Sequence, residues 1–172
     1  MDEDLFLILR MRAGDDRAVD SFVRKYYPSI LKFCRCHISD PMYAEDMTQE
    51  TFVRFFQNFG EYRHSGRAAN YLYTIASNAI RDLSRKNRED SLEDLSEEPA
   101  EMPEMTDLRL DLRRAMGSLP PELQAVSELS LVRGFTQKEI SRILGIGLPL
   151  VKYRIARAKK LLQTALREEE DP

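Results

Sequence analysis

Between Asn87 and Asp107 the chain holds nine Asp and Glu side chains, a single Arg, and the prolines Pro99 and Pro103. Like charges at that density repel, and proline both lacks a donor N–H and crowds a helix, so residues 88–107 read as an extended, flexible acidic linker. On either side of it apolar residues recur at steps of three and four, the period of an amphipathic helix, and nowhere at steps of two. The predicted fold is therefore all-α. Two small helical domains, 1–87 and 108–172, share a chain of 172 residues that has room for both.

In the first half, Leu5, Ile8 and Leu9 mark a short helix ending near Gly14. Asp15 or Asp16 can cap a second, carried by Val19, Phe22, Val23, Tyr26, Ile30 and Phe33. A third follows Asp40-Pro41, with Ala44, Met47, Thr51 and Phe55 on one side and Phe52, Phe56 and Phe59 beside them. Residues 58–66 read as a loop, and a fourth helix runs to about Lys86 on Leu72, Ile75, Ala76, Ala79 and Leu83. In the second half, Leu108, Leu112 and Met116 begin a helix that ends near Gly117. Pro120-Pro121 start another, through Leu123, Val126, Leu129 and Leu131 to Gly134. Thr136-Gln137-Lys138-Glu139 has the form of a capping box, in which Thr and Glu each satisfy an orphan N–H, and Gly145 stops the helix that follows. The last helix opens after Gly145-Ile146-Gly147, with Pro149 in its first turn and Val151, Ile155, Ala158, Leu162 and Ala165 as its buried stripe.

The net charge of -3 argues against a nucleic-acid partner only as an average. Residues 1–86 carry 13 Lys and Arg against 12 Asp and Glu, whereas residues 108–167 carry 12 against 4. Within that basic block, a short capped helix, a glycine turn and a longer cationic helix make a helix-turn-helix. Lys152, Tyr153, Arg154, Arg157, Lys159 and Lys160 surround the last stripe. In such a unit the first residues of the second helix meet base edges and later cations meet phosphates. On the fourth helix, Asn78, Arg81, Arg85 and Arg88 follow at steps of three and four, with Arg67, Tyr71 and Tyr73 at or near its start. Cations among aromatics suit unpaired nucleic acid; core tyrosines with solvated arginines are the plain alternative. On the third helix Asp46, Gln49 and Glu50 share one face, with no His in that helix to complete a metal site.

Other classes fall away. The apolar runs are too short to span a bilayer, and Met1-Asp2-Glu3-Asp4 is acidic where a secretory signal needs positive charge. Two cysteines make no disulfide framework, so a reducing cytoplasm is the expected location. Cys34-Arg35-Cys36-His37 offers three ligands at most, on one helix where residues two apart point away from each other, so core cysteines are expected there. His64 reads as an ordinary loop histidine. Without a nucleophile elbow or a Gly-rich phosphate loop, neither an enzyme nor a cofactor is expected.

In the order and spacing of its motifs the chain resembles the extracytoplasmic-function sigma factors of bacterial RNA polymerase over essentially its full length. The resemblance is carried by Arg12-Ala13-Gly14-Asp15, by Ala44-Glu45-Asp46-Met47-Thr48-Gln49-Glu50-Thr51-Phe52, and by Tyr71-Leu72-Tyr73-Thr74-Ile75-Ala76-Ser77-Asn78. It continues in Leu119-Pro120-Pro121 and Val151-Lys152-Tyr153-Arg154-Ile155-Ala156-Arg157-Ala158-Lys159. The resemblance implies that Asp46, Gln49 and Glu50 dock on the clamp of the largest subunits of core RNA polymerase. It implies that Arg67, Tyr71, Tyr73, Asn78, Arg81 and Arg85 recognise the promoter −10 element and hold its melted strand, while loop 58–66 pockets a flipped-out base. Thr136, Leu150, Lys152, Tyr153, Arg154 and Arg157 would contact the −35 element in its major groove. The acidic linker would thread the basic RNA-exit path of the polymerase, and a cognate anti-sigma protein, often at the membrane, would hold the chain inactive. Two positions depart from the family: Tyr71 stands where Trp is usual, and Gly147-Leu148-Pro149-Leu150 replaces a turn that usually carries a small hydroxyl residue. A free-standing helix-turn-helix regulator, or an adaptor whose basic helix meets protein, would leave the Asp46-Gln49-Glu50 face or the cationic helices without a role.

Overall fold

The computed structural model describes residues 2–90, 112 and 114–170; the linker from residue 91 onward and the expected helix start at Leu108 lie outside the described residues. The chain divides into two compact units, Met1–Asp94 and Leu95–Pro172. Among the described residues both are helical and contain no strand.

In the first unit the helices are α1 (Glu3–Arg12), α2 (Asp16–His37), α3 (Pro41–Gln57) and α4 (Ala68–Asp90). An aspartate caps each of the first three by accepting the backbone N–H two residues on: Asp2 from Asp4, Asp15 from Arg17 and Asp40 from Met42. Asp15, rather than Asp16, is thus the cap of α2, and it also holds Arg10 at 2.6 Å across the turn. The fourth helix continues past Lys86 to Asp90. Those extra residues include no proline, and Lys86 and Arg88 suit the negative end of a helix.

The core of this unit is aromatic. Phe22 stacks on Phe55 with ring centroids 5.0 Å apart, and Phe33 meets Tyr73 edge-on at 5.1 Å. Ile8, Ile30, Leu72, Ala76 and Ala79 fill the space between them, all buried. Burial of each large side chain stabilises the fold by roughly 1.5–3 kcal/mol. On α3 the buried face is Ala44, Thr48, Thr51, Phe52 and Phe55. The two threonines are admitted because their hydroxyls donate to the carbonyls of Ala44 and Met47, leaving no unmet polar group. Cys34 is buried, and burial raises its thiol pKa, while Cys36 is half-buried.

One carboxylate belongs to this core. Asp4, on α1, accepts the Tyr26 hydroxyl at 2.5 Å, Lys25 Nζ at 2.9 Å and the Ala68 N–H at 3.2 Å. Burial pushes the Asp4 pKa up, but these three donors outweigh it and the carboxyl titrates below its ordinary 3.8.

The second unit begins with a helical stretch at residues 114–117 and continues with α5 (Pro121–Ser127), a π-helical turn (Glu128–Val132), α6 (Gln137–Leu144) and α7 (Leu148–Glu170). Ala115, Leu119 and Leu123 pack on Ala158 and Leu162 of α7. The π turn replaces the continuous α-helix expected from Leu129 to Gly134. Its register is marked by Arg133 N–H on the Glu128 carbonyl, five residues back. Leu131 and Val132 are exposed, although Leu131 is expected among the apolar positions of this helix; it stands only two residues from buried Leu129 and so on another face. Glu128 is buried and accepts Arg133 at 3.2 Å.

Two stability outcomes follow from these contacts. Asp4→Ala should cost the first unit about 2–3 kcal/mol in urea unfolding, because it strands buried donors. Since the folded carboxyl titrates low, its contribution is present above about pH 4 and is lost as pH falls through the depressed value. Asp4→Asn should therefore flatten that acid limb of the stability profile. In the second unit, Thr136→Ala should cost about 1 kcal/mol, read as a lower unfolding midpoint by circular dichroism.

Candidate functional site

On α3, Met42, Asp46, Gln49 and Val53 stand at steps of four, three and four, and all four are exposed. Met42 and Val53 were not among the sequence candidates, yet their spacing with Asp46 and Gln49 was the available signal. Together they form an exposed stripe with a polar centre and apolar ends. Glu50 is placed differently. It is half-buried, and its carboxylate accepts Arg54 Nε at 2.7 Å. Arg54 also reaches Asp82 of α4 at 3.0 Å, and Asp82 accepts Arg85 at 3.4 Å. Glu50 is thus the inner end of an ion chain from α3 to α4, and its two acidic neighbours raise the pKa of Arg54.

On α4 the expected stripe is divided. Asn78, Arg81, Arg85 and Arg88 are exposed, back to back with buried Leu72, Ala76 and Ala79. Arg67 is exposed just before the helix. Tyr73 is not with them. It is 1% exposed, its ring is pinned against Phe33, and its hydroxyl donates to the Ser29 carbonyl at 3.5 Å. It stands two residues from Tyr71 and so faces inward, which removes it from any stacking surface. Tyr71 is half-buried and stacks on Tyr62 of the preceding loop, with centroids 5.1 Å apart.

That loop is built rather than merely polar. Tyr62 is buried among Phe55, Phe59 and Tyr71, and burial, with the field of Asp4, pushes its pKa up to about 12. His64, expected as an ordinary surface histidine, has a side chain only 7% exposed. Gly66 turns the chain into α4 with φ of +111°, a conformation open to glycine. Gly60, Glu61, Arg63, Ser65 and Arg67 are left on the outside. Between α1 and the loop lies an open groove of about 780 Å³ bordered by Leu5, Leu9, Arg12, Tyr62, Arg63 and His64.

In the second unit the capping box is complete. Thr136 Oγ1 accepts the Glu139 N–H at 3.3 Å, and Glu139 Oε2 accepts the Thr136 N–H at 2.7 Å. Gly145 ends α6 at φ of +64°, and the Ser141 hydroxyl donates to the Ile146 carbonyl to tie down the turn. At the start of α7 the Gly147 carbonyl takes the N–H groups of Leu150 and Val151, both at 3.1 Å, and glycine adds no side-chain cap. Val151, Ile155, Ala158 and Leu162 are buried, which turns Leu150, Lys152, Tyr153 and Arg157 outward; Arg154 is half-buried. Arg157 donates to the Tyr153 hydroxyl at 3.0 Å, one turn apart. Thr136 is exposed, but its hydroxyl is engaged in the cap.

Among the described residues no group of His, Cys, Asp and Glu side chains could hold a metal ion, and no helix is long and apolar enough to cross a membrane. What the geometry offers is two outward cationic faces on separate cores, with a third, mixed face on α3.

Comparison with known proteins agrees with that layout. Residues 22–89 match the sigma-70 region 2 family, and residues 109–162 match sigma-70 region 4. The chain is 33% identical over 166 residues to the ECF RNA polymerase sigma factor SigE of Mycolicibacterium smegmatis, covering 89% of this chain and 64% of that protein. It is 30% identical over 167 residues to the RNA polymerase sigma factor CarQ of Myxococcus xanthus, covering 94% of this chain and 96% of CarQ. Its fold is shared with the sigma factor RpoE solved with the anti-sigma factor NepR from Bartonella quintana, at 24% identity and a TM-score of 0.70, over 87% of this chain and 96% of that one. It is likewise shared with CnrH, solved with the cytosolic domain of CnrY, at 24% identity and a TM-score of 0.64, over 99% of this chain and 100% of that one. With both sigma regions present in order and a relative matched along nearly its whole length, the chain belongs to the extracytoplasmic-function sigma factors of RNA polymerase.

Proposed function

We propose that this sigma factor, acting in transcription initiation, divides its work among three faces. The α3 stripe of Asp46 and Gln49, flanked by Met42 and Val53, docks on the clamp of core polymerase. The α4 stripe of Asn78, Arg81 and Arg85, with Arg67, holds the −10 element as it melts, and loop 58–66 takes an extruded base. Tyr71 supports that loop from α4 through its stack on Tyr62. The helix-turn-helix reads the −35 element in the major groove, with Leu150, Lys152 and Tyr153 toward base edges and Arg157 toward phosphate. It does so without the usual hydroxyl cap, so the base preference at −35 is this chain's own. The observation that carries the reading is the pair of exposed cationic helices, each backed by its own buried apolar stripe.

The setting is the cytoplasm, where core polymerase and promoter DNA meet. The boundaries proposed for the parts are residues 1–87, an acidic linker at 88–107, and 108–172. A regulator of the kind solved with RpoE, an anti-sigma factor, is the expected inhibitor.

Run-off transcription with purified core polymerase tests the whole reading: the chain should direct a specific start on a two-part promoter. Duplex binding without polymerase-dependent transcript would defeat it. Asp46→Ala combined with Gln49→Ala should weaken core binding about tenfold or more while leaving duplex binding by the second unit intact. Arg157→Gln should weaken duplex binding about equally across −35 sequences and lower its salt dependence by roughly one unit of slope.

A further inference from the structure

We propose that α1 is the positioning element of the base-reading loop, and that the contact between Asp2 and His64 is its latch. The inference rests on the reading of loop 58–66 given above. The sigma region 2 match begins at residue 22, so α1 lies ahead of it. Yet three α1 side chains, or their caps, take hold of the loop at successive points.

Arg12, at the end of α1, donates to the Tyr62 carbonyl, and its guanidinium stands over the Phe59 ring at 5.9 Å. Asp4, in the first turn, receives the Ala68 N–H where the loop becomes α4. Asp2, the cap of α1, lies with Oδ2 2.7 Å from His64 Nε2. The other ring nitrogen, Nδ1, is 3.1 Å from the Tyr62 hydroxyl. A carboxylate only accepts, so Nε2 carries the proton toward Asp2, and in the neutral ring Nδ1 is left to accept from Tyr62. The Tyr62 hydroxyl is suited to donate, since it stays protonated through the physiological range. Asp2, for its part, is held below the ordinary carboxylate range chiefly by its bond to His64.

The result is a chain Asp2–His64–Tyr62, continued by the Tyr62 stack on Tyr71 of α4. The loop is therefore fixed on its inner side by α1 and α4, while Gly60, Glu61, Arg63 and Ser65 stay exposed. A pocket that discriminates one base from another needs its walls held to a fraction of an ångström, and the latch supplies that restraint from outside the loop.

The test is transcription by the full chain with core polymerase from promoters bearing each base at each −10 position. Asp2→Ala and His64→Ala should each flatten the preference at one −10 position by about threefold to tenfold, since misplacement costs selectivity before it costs binding. In the −10 profile the double variant should lose little more than His64→Ala alone, because the Asp2–His64 contact is already broken in either single variant. His64→Gln, which keeps a donor near the Nε2 position, should retain the preference. Core affinity and −35 preference should stay near the parent values, as should the unfolding midpoint of His64→Gln, whereas Asp2→Ala also removes the cap of α1 and should lower the midpoint as a lost cap does. The proposal is overturned if both single variants keep the parental −10 profile, or if transcription falls equally on every promoter. A triple Ala variant of Glu61, Arg63 and Ser65 separates the two levels. If it alters the −10 profile and the latch variants do not, the latch fails alone; if it too changes nothing, the base-reading role of the loop fails.

Discussion

The first unit depends on one buried carboxylate. Asp4 gathers a hydroxyl from α2, an ammonium one residue earlier on the same helix, and a backbone N–H from the start of α4. An isolated carboxylate would not survive such burial, and three donors offset its desolvation. Because the donors come from two different helices, α1 is fixed in both position and rotation. That fixing is what brings the capping Asp2 beside His64 and Arg12 beside Tyr62, contacts that a short helix lying loosely on the surface would not sustain.

The same logic, at lower strength, joins α3 to α4. Arg54 spans from Glu50 on α3 to Asp82 on α4, and Asp82 shares itself with Arg85. These groups are partly exposed, so each pair is worth little in stability. What they supply is a link between the outward side chains of α3 and those of α4. Phosphate is a stronger attractor for Arg85 than a solvated carboxylate, so this end of the chain is free to exchange partners.

Much of this was legible in the sequence. Helical spacing located the buried stripes because a helix in a small domain has one face to bury, and Leu72, Ala76 and Ala79 or Val151, Ile155 and Ala158 announce it plainly. The Thr136–Glu139 capping box was readable because its chemistry is local. What escaped was non-local. Tyr71 and Tyr73 are equivalent in a list of aromatics, and only the packing of Phe33 decides that Tyr73 turns inward. Glu50 shares the spacing of Asp46 and Gln49, and only the fold shows that its carboxylate is taken up by Arg54, which also reaches Asp82. His64 meets Asp2 across 62 residues of sequence, a separation at which no spacing rule operates. The continuation of α4 to Asp90 went the other way: local acidity suggested an end, yet nothing sterically stops the helix there.

The π turn at Glu128–Val132 is a single surplus residue wound into the end of α5. The wider turn takes up that residue between Glu128 and Arg133, whose N–H meets a carbonyl five positions back, and the chain then leaves the helix through Arg133 and Gly134. Leu129 is buried at this turn, while Leu131 and Val132 stand in the open. The path from α5 to α6 is therefore set by chain length as well as by side-chain chemistry. A one-residue deletion between 128 and 132 would remove the surplus residue and shorten that path, a change no substitution reproduces.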